Sequence, residues 1–295
     1  MKLTPYLSNE YITQIKNFQL KTKIILKGAL AGWHESPFHG YSSEFSQHRN
    51  YTPGDNLRYF DWKIYAKTER AVIKQYQDET NTNIYLVLDN SASMEYKGST
   101  SLTKLEYASV LAASLATLSF RQRDAVSLSY GAVQPDFFMP PKNSAANLQQ
   151  IFTILEGMKC SGTTDLEGLF AKLAPVLKSG SMSYIFTDLW QEPDSIITGI
   201  KKLRHKSQAI SLVQILTPEE TDFISGREME LVDMETFKKV KVSATGLKKL
   251  YRETLEEHQH YLHAECFKLK INLINITNGE PFFRSVRRLL SSHNG

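Results

Sequence analysis

The chain has 295 residues, 41% of them hydrophobic and 22% charged, enough apolar content to bury a real core as one large domain or two modest ones. Its net charge of +4, from 35 basic against 31 acidic residues, is too small to argue for a nucleic-acid surface. Two cysteines, Cys160 and Cys266, lack C-x-x-C spacing, which argues against a disulfide framework or a zinc knuckle and fits reduced thiols in a cytoplasmic protein.

The amino-terminal stretch MKLTPYLSNEYITQIKNFQ has no apolar region before a small-residue cleavage site, so it does not read as a secretory signal. No run approaches the roughly 18 apolar residues that span a bilayer. A soluble, cytoplasmic protein is the expectation. A polar helix with Tyr11, Ile12, Ile15, Phe18, Ile24 and Ile25 opens the chain. Residues 33–82 are aromatic and polar, with turn signals at Phe38-His39-Gly40 and Thr52-Pro53-Gly54-Asp55, and read as an irregular or β-containing lead-in. From Asn83 strands alternate with helices. Ile84 to Leu88 is a short apolar run suited to a strand covered on both faces. Leu105, Ala108, Leu111, Ala112, Leu115 and Leu118 mark a helix over 104–121. Strands follow at Ala125 to Tyr130, Ser183 to Thr187, Ile210 to Leu216 and Leu273 to Ile276. Helices are expected over 145–157, 166–178, 195–206 and 245–268, a strand pair over 229–243, and a basic helix at the end. The fold class is α/β: a doubly wound, mostly parallel sheet with helices on both faces. The expected organisation is a lead-in at 1–82, the α/β domain at 83–280 and a terminal helix at 281–295.

Ligands of such sheets bind at the carboxyl ends of strands. After the strand ending at Leu88 comes Asp89-Asn90-Ser91-Ala92-Ser93, a D-x-S-x-S pattern whose alternate side chains can share one side. Asp188 directly follows the strand ending at Thr187, and Gly162-Thr163-Thr164-Asp165-Leu166 is a loop before a helix on the same edge. Asp89, Ser91, Ser93, Thr164 and Asp188 thus offer three hydroxyls and two carboxylates. Such hard oxygens suit Mg²⁺, with Mn²⁺ or Ca²⁺ as alternatives, and not a soft metal. Each residue alone is also an ordinary cap or turn residue; specificity comes from the set.

This set resembles the metal-ion-dependent adhesion site of von Willebrand factor A domains. The resemblance implies that Asp89, Ser91 and Ser93 ligate Mg²⁺ directly or through water and that Thr164, or alternatively Thr163, and Asp188 complete the shell. The segment from Glu44 to Lys63, with Arg49, Tyr51, Pro53-Gly54-Asp55, Arg58 and Asp61-Trp62-Lys63, resembles the signature of the domain of unknown function 58 family. Ala66-Lys67-Thr68, Val72 to Tyr76, Asp89 to Met94 and Lys104 continue the likeness, which spans about residues 30–280. Gln47 and Asn50 depart from it, where a small and an acidic residue are usual. Arg49, Asp55, Arg58 and Asp61 are expected to pair with one another or with backbone, with Trp62 and Tyr51 as packing mass.

The resemblance implies a metal-dependent protein-interaction module, not an enzyme: an acidic partner residue would complete the Mg²⁺ shell. It also implies a MoxR-type AAA+ ATPase, or its client, as partner in a chaperone-like assembly or activation system. The alternative is a Mg²⁺-dependent hydrolase with Asp89 as nucleophile, but Ser91 stands where a second acid is needed and no lysine is evident for a phosphoryl group. Gly98 to Lys104 lacks the second glycine of a P-loop. His258, His260 and His263 read as a solvated helix face rather than a zinc site. Lys201, Lys202, Arg204 and Lys206, and Arg284, Arg287 and Arg288, read as solvated helix faces rather than a nucleic-acid surface.

Overall fold

The computed structural model describes residues 9–15, 17–30, 45–52, 60–76, 82–205, 207–222, 228–232 and 239–291. Alternation of apolar strands with amphipathic helices builds a six-stranded sheet from β3 (Asn83–Leu88), β4 (Ala125–Tyr130), β5 (Phe137–Lys142), β6 (Ser181–Thr187), β7 (Ser207–Leu216) and β10 (Asn272–Thr277). Their spatial order is β10-β7-β6-β3-β4-β5, and every pairing except β4 with β5 is parallel. From β3 the chain moves outward to β4, and from β6 it moves outward the other way to β7. The order therefore reverses between β3 and β6, which opens a crevice at their carboxyl ends.

Helices cover both faces. On one, Tyr85 and Val87 of β3, Ile185 of β6 and Leu212 of β7 share a core with α6 (Leu166–Leu173), α7 (Pro193–Arg204) and α9 (Ala244–Lys268). On the other, α4 (Lys104–Arg121) packs on β3, β4 and β7 and is flanked by α2 (Phe18–Leu30), α5 (Ala145–Gly157) and α10 (Phe282–Ser291). Neighbours on several sides bury α4 almost all round, and Ala108, Ala112, Ala113 and Ala116 let them approach closely. Each buried Leu or Ile of these layers contributes about 1.5–3 kcal/mol relative to an exposed one. No described helix is long and apolar enough to cross a membrane.

Some elements differ from expectation. The opening helix is two pieces, α1 (Asn9–Gln14) and α2, because the Asn17 side chain accepts the Leu20 N–H at 3.0 Å and starts a new helix. The helix expected over 166–178 stops as α6 at Leu173 and tightens to a 3₁₀ turn at 174–176, where Pro175 has no N–H to give. Strand β5, with Pro140 and Pro141, is absent from the sequence reading; it is tolerated because it lies at the sheet edge, where ladder donors are dispensable. The expected strand pair forms as β8 (Glu228–Val232) and β9 (Lys239–Ser243), antiparallel.

Contacts divide the chain at residues 34 and 82, not at 82 alone: residues 1–33 and 82–295 form one unit and 34–81 another. The reason is that α2 packs on α4 and α10, so the opening helices and the terminal helix both belong to the α/β unit. In the smaller unit β1 (Phe45–Asn50) pairs antiparallel with β2 (Val72–Tyr76), and Asp61 caps α3 (Trp62–Thr68) by accepting from Lys63 N and Ile64 N. Phe60 packs among Tyr51, Trp62 and Tyr65. Trp62 is nonetheless 62% exposed, so it is not the packing mass expected. Arg49 donates to Asn50 O and Thr52 Oγ1. Asp55, Arg58 and the two turn signals lie outside the described residues.

Helix α4 begins in a capping box: Thr103 Oγ1 accepts the Glu106 N–H, and the Glu106 carboxylate accepts the Thr103 N–H. Thr103→Ala should lower unfolding free energy by about 1 kcal/mol in a urea titration; an unchanged midpoint would show that tertiary packing alone fixes the helix start.

Candidate metal centre

The crevice between β3 and β6 is lined by three loops locked together through hydrogen bonds. The first, after β3, begins with Asp89, whose N–H donates to Phe186 O of β6 at 2.9 Å. Its carboxylate is 0% exposed; Oδ1 accepts the Ser91 N–H at 2.9 Å and Oδ2 accepts the Thr187 hydroxyl at 2.8 Å. The Ser91 N–H bond folds the chain back, and residues 92–95 continue as a 3₁₀ turn. This turn carries Ser93 to the same side as Ser91, with their Oγ atoms 3.1 Å apart.

The second loop, residues 161–165, is laid against the first by backbone bonds. Ser161 N donates to Asn90 O at 2.7 Å, and Ala92 N donates to Gly162 O at 3.0 Å. Gly162 has φ of +78°, a conformation that suits glycine here. Thr163 is exposed and Thr164 half-buried, and Asp165 caps α6 by accepting the Gly168 N–H. The third loop follows β6. Gln191 ties it to the second loop, donating to Thr164 O at 2.5 Å and accepting the Leu166 N–H at 2.9 Å. Asp188 is 1% exposed and stands at the end of β6 beside Asp89. Asp89, Ser91, Ser93 and Asp188 thus flank one crevice, and the loop bearing Thr163 and Thr164 is bonded to both neighbours. Among the described residues no three His, Cys, Asp or Glu side chains converge as a metal cluster, so any ion here depends on hydroxyl donors.

The electrostatics turn on a lysine. Lys104, the first residue of α4, is 1% exposed and donates to Asp188 Oδ2 and to Glu220 Oε1, both at 2.8 Å. Burial pulls its pKa down, but Asp188 and Glu220 outweigh burial and hold the ammonium above its ordinary value. Glu220 belongs to α8 (Pro218–Thr221) and is itself fixed: Oε2 accepts the Thr217 N–H at 2.7 Å and Oε1 accepts the Trp190 indole N–H at 3.2 Å. Asp188 Oδ1 accepts the Trp190 N–H at 3.3 Å. Among the described residues no cation bonds to Asp89. Burial and then the neighbouring Asp188 charge push its carboxyl up to about 7, against the bonds from Ser91 and Thr187.

Thr187, Lys104, Glu220, Trp190 and Gln191 were not among the residues read from the sequence as the site. Two carried a signal. Lys104 continues the family signature, and Thr217-Pro218-Glu219-Glu220 is a T-x-x-E capping box directly after a strand. The sequence pattern offers no lysine for a phosphoryl group at this site, yet Lys104, 84 residues from Asp188, is delivered to that carboxylate by α4. His258 is not on a solvated face; Nε2 lies 3.0 Å from Leu189 O and the ring stacks on Trp190. His263 bonds with Asn275. Among the basic tracts, Lys202 pairs with Glu167, Arg204 donates to Leu269 O and Ser207 O, and Arg288 pairs with Glu280.

The family model described as "Protein of unknown function DUF58" matches residues 47–261. The uncharacterized protein Rv1480 of Mycobacterium tuberculosis is 31% identical over 105 residues, covering 36% of this chain and 33% of its own. YeaD of Bacillus subtilis, also uncharacterized, is 32% identical over 77 residues, covering 26% of this chain and 19% of its own. The matches thus span about a third or less of the length of these relatives. Among solved structures, BatB from Bacteroides thetaiotaomicron aligns over 72% of this chain and 100% of its own, at 12% identity and a TM-score of 0.48. The SpRpn10 VWA domain aligns over 70% and 94%, at 12% identity and a TM-score of 0.42.

The raised Asp89 carboxyl has a consequence for stability. In the folded state it holds its proton up to about pH 7, whereas an unfolded aspartate releases it near pH 4. Between these values the folded state binds more protons, so the Asp89 contribution falls as pH rises. In chelator-treated protein, Asp89→Asn should therefore flatten the decline in Tm from pH 4 to pH 7. Parallel Tm profiles for the two proteins would contradict the burial of an ionisable carboxyl there.

Proposed function

The chain belongs to the DUF58 family, and we propose that it is a metal-dependent protein-interaction module rather than an enzyme. One observation carries this reading: two buried carboxylates and two serine hydroxyls meet where three loops are bonded together. The Ser91 and Ser93 oxygens are 3.1 Å apart, close to the roughly 3 Å between adjacent ligands of an Mg²⁺ octahedron with bonds of about 2.1 Å. Asp89, pushed toward its neutral form by burial and by Asp188, is a carboxylate that a nearby cation stabilises.

In this reading Ser91, Ser93 and Thr164 (or Thr163) hold Mg²⁺, or Mn²⁺ or Ca²⁺, as neutral donors, Asp89 supplies charge, and Asp188 completes the shell through water. When bound, the ion provides a Lewis-acidic position open to an Asp or Glu carboxylate of a partner. The loop bonds from Asn90 and Ala92 to residues 161–162, and from Gln191 to residues 164–166, hold the donors ready before the ion arrives. Trp190 stacks on His258 and bonds to Glu220, making a rigid wall beside the site. We propose a MoxR-type AAA+ ATPase or its client as the partner, in a chaperone-like assembly or activation system in the cytoplasm; the family resemblance supports that choice.

A Mg²⁺-dependent hydrolase is the second reading, because Lys104 supplies the ammonium that the sequence pattern hid. Against it, Asp89 is fully buried with both oxygens accepting bonds, and Ser91 stands where a general acid is needed. Turnover of p-nitrophenyl phosphate that disappears in Asp89→Asn would favour the hydrolase.

Mg²⁺ or Mn²⁺ at a hundredfold excess over its Kd should raise Tm by about 5 °C or more, and Asp89→Ala should abolish the rise. Capture of the MoxR-type ATPase of the same organism should be lost with EDTA and with Asp188→Ala; capture indifferent to both places the contact elsewhere.

A further inference from the structure

Lys104 is out of place by ordinary rules. A cation at the first position of a helix faces the positive end of its dipole. A lysine with 1% exposure has also lost nearly all hydration. What holds it is geometry: its ammonium lies 2.8 Å from Asp188 and 2.8 Å from Glu220. Those acids are themselves pinned by Trp190 and by the Thr217 capping box, so Lys104 is clamped, not merely nearby. Every carboxylate oxygen of Asp188 and Glu220 already accepts a protein donor. Among the described residues Asp89, by contrast, accepts only from neutral groups.

We propose that Lys104 is a built-in counter-cation that sets which metal the site takes: it neutralises Asp188, confines a divalent ion to the Asp89, Ser91 and Ser93 side, and keeps the carboxylate count low. The proposal rests on the metal-dependent reading of that site and adds its selectivity. A site with one free carboxylate and several hydroxyls favours Mg²⁺, which keeps waters and needs only one or two carboxylates. Freeing Asp188 would add a charged oxygen ligand and favour Ca²⁺, which takes six to eight oxygens.

Three variants separate this role from a structural one, with Mg²⁺, Mn²⁺ and Ca²⁺ affinities measured by isothermal titration calorimetry on the full chain. Asp188→Asn leaves the ammonium facing the ion with only Glu220 to balance it, and divalent affinity should fall by about tenfold or more. Lys104→Met frees the Asp188 charge, and affinity should rise, most for Ca²⁺. The double variant Lys104→Met with Asp188→Asn removes the pair together, so it leaves no unpaired charge at that position should the single Lys104 variant fail to fold. Glu220 keeps its bonds from Thr217 and Trp190, and affinity should return to within about threefold of the parent.

A double variant as weak as Asp188→Asn, or a Lys104→Met that binds Ca²⁺ less tightly than the parent, overturns the proposal while leaving the metal site standing. If the parent binds no divalent ion, the metal reading of the site fails. The Lys104 proposal is then decided by Lys104→Met, the variant that frees the Asp188 charge: Ca²⁺ binding gained there and absent from the double variant supports it, and no gain, or an equal gain in the double variant, overturns it.

Discussion

The Asp89 carboxylate ties together the ends of β3 and β6, the two paired strands from which the sheet's connections run in opposite directions. At the end of β3 it accepts one bond from its own loop and one from Thr187 at the end of β6. Burying a carboxylate costs several kcal/mol unless its lone pairs are satisfied. Here two neutral donors satisfy it in part, and the neighbouring Asp188 charge works against it. An arrangement that stable folding alone does not require is where a ligand is to be sought.

The rest of the site follows from that constraint. With Asp89 fixed, Ser91 turns back and Ser93 comes alongside it. The 161–166 loop is bonded on one side to the Asp89 loop and on the other to Gln191. Two acids, Asp188 and Glu220, hold the buried Lys104 ammonium, and a third, Asp89, lies beside Asp188 with neutral donors on it. In the proposed reading the negative balance of these groups is what would draw a divalent ion in. The ammonium on Asp188 limits how much negative charge that ion meets. A lightly neutralised ion would accept an acidic side chain, and Trp190 beside the site stacks on His258 and bonds to Glu220.

Much of this was legible in the residues. Short apolar runs and a period of 3.6 pointed to the sheet and its covering helices, because β3 is apolar on both faces and α4 repeats its leucines at helical spacing. D-x-S-x-S at a strand end pointed to the crevice. What stayed hidden has physical causes. Strand β5 carries Pro140-Pro141, which mimics a turn until its edge position is known. The opening helices look like part of the lead-in until α2 is seen against α4. Lys104 looks like an exposed helix-start lysine, since only tertiary packing brings residues 188 and 220 to it. The aromatic signature residue Trp62 looks like core and is mostly exposed.

Anomalous diffraction from crystals of the protein grown with Mn²⁺ tests the central claim most directly. The expected result is a single strong manganese peak bonded to the Ser91 and Ser93 hydroxyls, with Asp89 in its shell and Lys104 still on Asp188. A map with no peak in that crevice at saturating Mn²⁺, or a peak held by other residues, would contradict it.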